Sequence, residues 1–319
     1  MLSRAAESLY WLARYLERAE NTARLVSVQS DTRLDHPDPA DRAWKTVLSI
    51  TGSLEEFGTR GLDCIEQDVA EFLLSDPQSP ASLLNICARA RENCRTLLEI
   101  LPRESWEEIN ELHQLAGQPG ASATQRRGEH LRNVIGRTQA MAGLFLGAMN
   151  DDEGYAFLRL GRAIERGDFA ARVLLGHFHA MEHGADDGQT LRGADWVGVL
   201  RSLTAFQMYR RSVQGPVTGL RVVRFLTCST VFPRSMTYCA KEAEQALARL
   251  PGSEAVAAAR LSSELVNQRC VSGMETDASS LLVKVQAELS ALHDMVTADY
   301  FTHRLTGRAR AGQSQSQTA

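Results

Sequence analysis

The sequence predicts an all-α protein, arranged as two tandem-duplicated helical bundles related by pseudo-two-fold symmetry, and three observations predict it. Apolar residues recur at steps of three and four, the spacing of one helix face. Pro and Gly clusters cut the chain into helix-length pieces, with no alternating run long enough for a useful strand. Several segments of the first half return, in order, in the second.

The first helix is expected to begin after Ser3. Leu9, Leu12, Leu16, Ala19, Ala23 and Val26 lie on one of its faces, Trp11 and Tyr15 extend that face, and the prolines of His36-Pro37-Asp38-Pro39 forbid continuation. Further stops fall at Gly58 to Gly61, Asp76-Pro77, Ser79-Pro80, Pro102, Pro119-Gly120, Gly184 to Gly188, Gly215-Pro216, Phe232-Pro233 and Pro251-Gly252. Ser79-Pro80 reads as an N-cap followed by proline in the first helical position, and Pro251-Gly252 suits a stop.

The duplication is carried by particular residues. Leu12, Arg14, Glu17, Arg18, Ala23 and Arg24 recur as Leu160, Arg162, Glu165, Arg166, Ala171 and Arg172, each pair 148 residues apart. Glu20 meets Asp168 and Leu16 meets Ile164. Trp44, Val47 and Leu48 return 152 residues later as Trp196, Val199 and Leu200. Val69, Phe72, Leu73, Pro80 and Ser82 return 153 residues later as Val222, Phe225, Leu226, Pro233 and Ser235. Ordered matches with small drifts in spacing are what duplication followed by loop changes leaves behind. Residues 1–150 then form a first helical repeat and 151–306 a second, each a bundle of about five helices. Residues 307–319 are polar and aperiodic, as a disordered tail is.

Composition narrows the function classes. The 319 residues are 44% hydrophobic and 23% charged, the balance of a soluble globular chain large enough for one big core or two fused ones. No apolar run approaches the roughly 18 residues of a membrane span. Arg4, Glu7, Arg14, Glu17 and Arg18 break up any secretory apolar region, and the acids argue against a mitochondrial transit helix, so the expected location is cytoplasmic. A formal charge of -4 provides no general basic field for nucleic acid. The cysteines at 64, 87, 94, 228, 239 and 270 form no CxxC pair and are expected to be reduced and part-buried.

On a helical wheel Glu17, Glu20 and Arg24 form one stripe and Arg14, Arg18 and Asn21 the next, both opposite the apolar face. A solvated charged face has no reason to repeat Arg, Glu, Arg and Arg at the same places in both halves. A buried or half-buried ionic network between helices does, because buried charges must be paired. Such a network fixes helix register or binds a ligand; guanidinium groups suit carboxylate and phosphate, so a cleft lined by Arg14, Arg18, Arg162 and Arg166 is a candidate anion site.

These residues also carry a resemblance. The run from Leu9 to Asn21, Leu-Tyr-Trp-Leu-Ala-Arg-Tyr-Leu-Glu-Arg-Ala-Glu-Asn, resembles the opening signature of the alpha-E family, a helical family with Glu-Arg motifs. Phe157 to Arg166 resembles its second signature. Arg91-Glu92-Asn93 and Phe232-Pro233-Arg234-Ser235 resemble two further elements, so the likeness runs from Met1 to about Tyr300. Asp151 stands where a basic residue is expected after Met149, and Gly167 where an alanine is expected after the second Glu-Arg. The resemblance implies a partner role beside a circularly permuted ATP-grasp protein, often with a transglutaminase-like protein, in a proposed peptide- or amide-forming system. With the wheel, it makes Arg14, Glu17, Arg18, Arg24, Arg91, Glu92, Asn93, Arg162, Glu165, Arg166, Arg172, Arg234 and Ser235 the ligand or interface candidates.

Enzyme-like strings are few. His179-Ala180-Met181-Glu182-His183 has the H-x-x-E-H spacing of inverted zincins, with His177 as a further nitrogen, but histidines are also favoured near a helix C-terminus for electrostatic reasons. No Walker-type loop, GxGxxG or GxSxG occurs. The expectation is therefore no metal, no cofactor and a non-catalytic helical partner that docks an ATP-grasp ligase or presents its substrate. The alternatives are a helical enzyme or small-anion binder using the Arg/Glu cleft and, more weakly, an RNA or aminoacyl-tRNA binder.

Overall fold

A computed structural model describes residues 1–35, 40–184, 193–252 and 278–301, and no strand occurs among them. The expected stop at 36–39, the Gly184 to Gly188 break beyond its first residue, the tail at 307–319 and Cys270 lie outside the described residues. Two long helices organise the rest. Helix α1 (Ser3–Asp35) and helix α8 (Glu153–Gly184) each extend about 50 Å and pack along one another.

Between them come α2 (Ala40–Thr51), α3 (Leu54–Thr59), α4 (Glu66–Leu74), α5 (Leu83–Arg95), α6 (Glu104–Ala116) and α7 (Thr124–Ala148). After α8 follow α9 (Gly193–Ser202), α10 (Phe206–Ser212), α11 (Gly219–Cys228), α12 (Met236–Leu247) and α13 (Ala278–Val296), which ends in a π turn over Thr297–Phe301.

Helices α5 and α7 cover α1, while α12 and α13 cover α8. The shorter helices cross over, for α2 lies against α8 and α9 against α1. Side chains from both halves therefore form one continuous core, from Leu9, Leu12, Trp44 and Phe72 to Leu160, Val173, Trp196 and Leu282. Each fully buried Leu or Val adds about 1.5–3 kcal/mol, so a helix buried along its whole length is held by packing far more than by propensity.

Two glycines of α8 set how closely its neighbours approach. A Cβ at Gly161 would lie 2.3 Å from the Tyr10 carbonyl oxygen of α1, and one at Gly176 would lie 2.7 Å from Ile50 Cγ1 of α2. Backbone meets backbone at the first of these, which draws the motif-bearing stretches of α1 and α8 together.

Two expectations need correction. Helix α5 is capped by Ser82, whose hydroxyl accepts from the Asn85 amide at 3.3 Å, not by Ser79. Ser79 instead closes a turn, its carbonyl accepting from the Ser82 amide at 3.0 Å and the Asn85 side chain at 2.8 Å. A proline can begin a turn as well as a helix, and Pro80 does the former. Cys228 is disulfide-bonded, whereas Cys64, Cys87, Cys94 and Cys239 are free as expected. Spacing along the chain reveals clustered cysteines but not which of several scattered ones is oxidised.

Candidate functional site

The two Glu-Arg motifs face each other across the α1–α8 contact. Glu165 of α8, 5% exposed, receives two arginines from α1. Arg18 grips it with both arms, Nε to Oε1 at 2.6 Å and Nη2 to Oε2 at 3.0 Å, and Arg14 Nε donates to Oε2 at 2.8 Å. Burial alone would raise this carboxyl, but Arg18 and Arg14 outweigh it and hold it down at about 2.

Behind Arg14 the network continues into the C-terminal helix. Arg14 Nη1 donates to the Tyr10 hydroxyl at 3.2 Å, and that hydroxyl lies 2.8 Å from His293 Nδ1 on α13. Burial pushes the Tyr10 phenol up to about 12, so it stays a donor for the imidazole. Burial, and then the charge of Arg14, lower His293 and favour the neutral ring that accepts this bond. Trp11 and Tyr15 stack at 5.5 Å on the same side, with the Arg14 guanidinium 5.0 Å from the Trp11 ring.

Glu17 of α1 is the counterpart, also 5% exposed. Its Oε1 forms ion pairs with Arg166 Nε of α8 at 2.9 Å and with Arg234 Nη1, from the turn before α12, at 2.6 Å. Burial would raise Glu17 as well; Arg234 and then Arg166 overcome it and keep the carboxylate ionised. Arg234 reaches further, to Glu20 Oε1 at 2.9 Å and Asn21 Oδ1 at 2.9 Å. Glu20 also takes Arg24 at 2.8 Å and the Gln139 amide of α7 at 3.3 Å. In α8 Asp168 takes Arg172 at 2.8 Å and the Gln286 amide of α13 at 3.4 Å. The charged stripes therefore lie inside the molecule, as a paired network requires.

Chemically this arrangement is a clamp. Glu17 and Glu165 are kept ionised by guanidinium groups on other elements, so neither is poised to move a proton near neutral pH. Cys87 and Cys239 are pushed up to about 12 by burial, which keeps them as thiols.

The remaining candidates do other work. Arg91 lies 5.0 Å from the Trp106 ring and donates to Asn110 Oδ1 at 2.6 Å, tying α5 to α6. Glu92 pairs with Arg95 at 3.0 Å on the surface, and the Asn93 carbonyl accepts the Thr96 amide at the end of α5. Ser235 caps α12, accepting from the Tyr238 amide at 3.2 Å. The structure therefore brings Arg234 into the network and leaves Arg91 at the α5–α6 contact, Glu92 on the surface and Asn93 at the end of α5.

Sequence reasoning passed over Tyr10, His293, Gln139 and Gln286. Only the dipeptides Gln139-Ala140 and Gln286-Ala287 signal the last two, too short to notice. It also passed over Arg127, 2% exposed and 2.5 Å from Glu66. Of the expected alternatives, the anion cleft changes most: Arg14, Arg18 and Arg166 are taken up by Glu165 and Glu17, whereas Arg162 makes no ion pair among the described residues. In the His-rich string, His177 Nδ1 lies 2.9 Å from the Val173 carbonyl of its own helix, and the side chains of Glu182 and His183 lie outside the described residues. Asp151 pairs with Arg249 at 2.6 Å on the surface, and a Cβ at Gly167 would press on Leu289 Cδ1 at 3.1 Å.

Fold and network together define a class: an all-helical protein in which Glu-Arg pairs on its two longest helices lock those helices together. The chain belongs to the Alpha-E family, described as a predicted alpha-helical domain with a conserved ER motif, whose model matches residues 1–301. It is 23% identical over 331 aligned positions to an uncharacterised protein of Mycobacterium bovis, covering 92% of this chain and 36% of that one. Uncharacterised proteins of two Mycobacterium tuberculosis strains match over the same shares, at 23% and 22% identity. The chain thus spans about a third of the length of these relatives. No solved structure matches it. No helix among the described residues is long and apolar enough to cross a membrane.

Proposed function

We propose that this chain is a non-catalytic helical partner of a circularly permuted ATP-grasp ligase in a peptide- or amide-forming system, docking the ligase or presenting its substrate, with a transglutaminase-like protein as a possible third member. The observation that carries the reading is the use of the motif: the charged side chains that define the family are consumed in interhelical pairs, which leaves a rigid helical body suited to binding. The relatives add support, because in them the matching region is about a third of a longer chain. Mixing the purified chain with its cognate ATP-grasp protein tests the proposal. Co-elution, or a raised rate of amide formation, is the expected result. Neither association nor stimulation, together with turnover of a substrate by this chain alone, overturns it. The cytoplasm is the location this role calls for.

We also infer that residues 1–150 and 151–306 are two copies of one unit, packed as a pseudo-two-fold pair. Reciprocity of contacts supports this: Arg18 on Glu165 answers Arg166 on Glu17, and Gln139 on Glu20 answers Gln286 on Asp168. So does the exchange of α2 and α9 between the long helices. In an experimental structure Glu17 should superpose on Glu165 and Pro80 on Pro233; a different helix order in the second half refutes the inference. A second reading, a small-anion binder, is favoured by Arg162, which makes no ion pair among the described residues.

A further inference from the structure

The four arginines of the two signatures do not share the two buried glutamates evenly. Arg14 and Arg18 both close on Glu165. Across the contact, Arg166 closes on Glu17, but the second place on that carboxylate is held by Arg234 rather than by Arg162. Arg162 is left half-buried, facing Glu17 electrostatically but without an ion pair among the described residues. Among the described residues the network carries an excess of positive charge, since Arg14, Arg18, Arg24, Arg162, Arg166, Arg172 and Arg234 face Glu17, Glu20, Glu165 and Asp168.

Arg162 also lines a small crevice of about 30 Å³ between α1, α7 and α8, partly open to solvent. Thr138 adds a hydroxyl, Phe145 and Tyr155 add aromatic walls, and Glu17 and Glu20 complete the polar side. That volume has room for a group the size of one or two waters.

We propose that this crevice binds the carboxylate of a small monoanion with an apolar body. Arg162 supplies the guanidinium fork, which matches two carboxylate oxygens, and the aromatic walls take the body at the mouth. Glu17 and Glu20 are already neutralised by Arg166, Arg234 and Arg24, so they tolerate one added negative charge close by. They oppose a phosphate dianion, whose second charge has no free cation to meet. The proposal concerns the chain alone and stands or falls apart from any ligase partnership.

Calorimetric titration of the full chain with benzoate, acetate and inorganic phosphate tests it, using wild type, Arg162→Gln and Ala142→Phe, the last filling the crevice while keeping the arginine. Benzoate should bind with one-to-one stoichiometry and more tightly than acetate or phosphate. Both substitutions should weaken it at least tenfold, and Arg162→Gln should lower the melting temperature only slightly, because a longer-range attraction to Glu17 is lost but no ion pair. If Arg162→Gln does not fold, that itself contradicts the proposal, since the arginine would then be structural. Benzoate binding that survives both substitutions, tighter binding of phosphate, or no binding of any probe also overturns it.

Discussion

Glu165 and Glu17 stand at matching places in two similar Glu-Arg segments of the sequence, yet they are held by different means. Both arginines on Glu165 come from a single helix, α1, one turn apart. Glu17 is shared between α8 and the turn that opens α12. The first site therefore joins two elements and the second joins three. A motif repeated in sequence specifies the need for cationic partners, while the neighbouring backbone decides which cations arrive. At Glu17 that neighbour is Arg234, which also reaches Glu20 and so serves two carboxylates at once. With Arg234 in that place, Arg162 makes no ion pair among the described residues.

The sharpest way to break this comparison is to remove the extra cation. Arg234→Met leaves Glu17 and Glu20 each short of a partner in a buried setting, and it should cost about 3–5 kcal/mol in denaturant unfolding. Adding Arg162→Gln should make the loss greater than additive, because Arg162, which makes no ion pair among the described residues, can swing onto Glu17 once Arg234 is gone. A cost within the range of surface substitutions, about 0.5 kcal/mol, would mean that the Glu17 site is effectively solvated.

The contact that brings the two sites together can be tested next. Gly161→Ala sets a methyl group 2.3 Å from the Tyr10 carbonyl oxygen, so α1 and α8 must separate and every pair across them must lengthen. The expected cost is about 3 kcal/mol. Gly143, in α7 with nothing within 4 Å of its missing Cβ, is the control: Gly143→Ala should stabilise by up to about 1 kcal/mol. Equal effects at the two glycines would remove the close crossing from the account.

Acid distinguishes the sites with a smaller, graded effect. Glu165 has its folded-state pKa depressed from 4.5 to about 2, so its contribution is fully present above pH about 4.5 and is lost as pH falls through about 2. That is about 3 kcal/mol of pH-dependent stability, and Glu165→Gln should flatten the stability profile over this window. His293 acts in the same sense but nearer neutrality. Its pKa is lowered by burial and by Arg14, so the folded state favours the neutral ring and loses stability as pH drops below the ordinary histidine value of about 6.5. His293→Gln, which keeps a hydrogen-bonding side chain beside Tyr10 without a titrating ring, should remove this weaker step and leave the one at Glu165. A profile indifferent to both substitutions would show that neither group is held as described.

Much of the fold was legible because helices write themselves locally. The spacing of Leu9, Leu12, Leu16, Ala19, Ala23 and Val26 defines α1 without reference to any other residue, and all six are buried. Repeated Arg and Glu at matching places pointed to an internal network, since a solvated face does not constrain both copies alike. Less legible was Tyr10, wholly buried although it lies off the regular apolar steps, because α1 is covered on several sides and not on one. The N-cap of α5 was displaced by three residues because Ser79-Pro80 and Ser82 both carry a start signal, and only the path of the chain chooses between them.

By itself, then, the sequence determined the helical class, the position of the first long helix, the ionic character of its contact and the family. Each depends on periodicity or on residue type within a short window. The partners within the network were decided only by tertiary structure. Glu17 has four arginines near it in the motifs, and nothing in their spacing says that Arg234, more than two hundred residues away, takes the place open to Arg162. Electrostatic pairing in a buried site depends on distances of a few ångströms between elements remote in the chain, and those distances exist only once the core formed by both halves has closed around them.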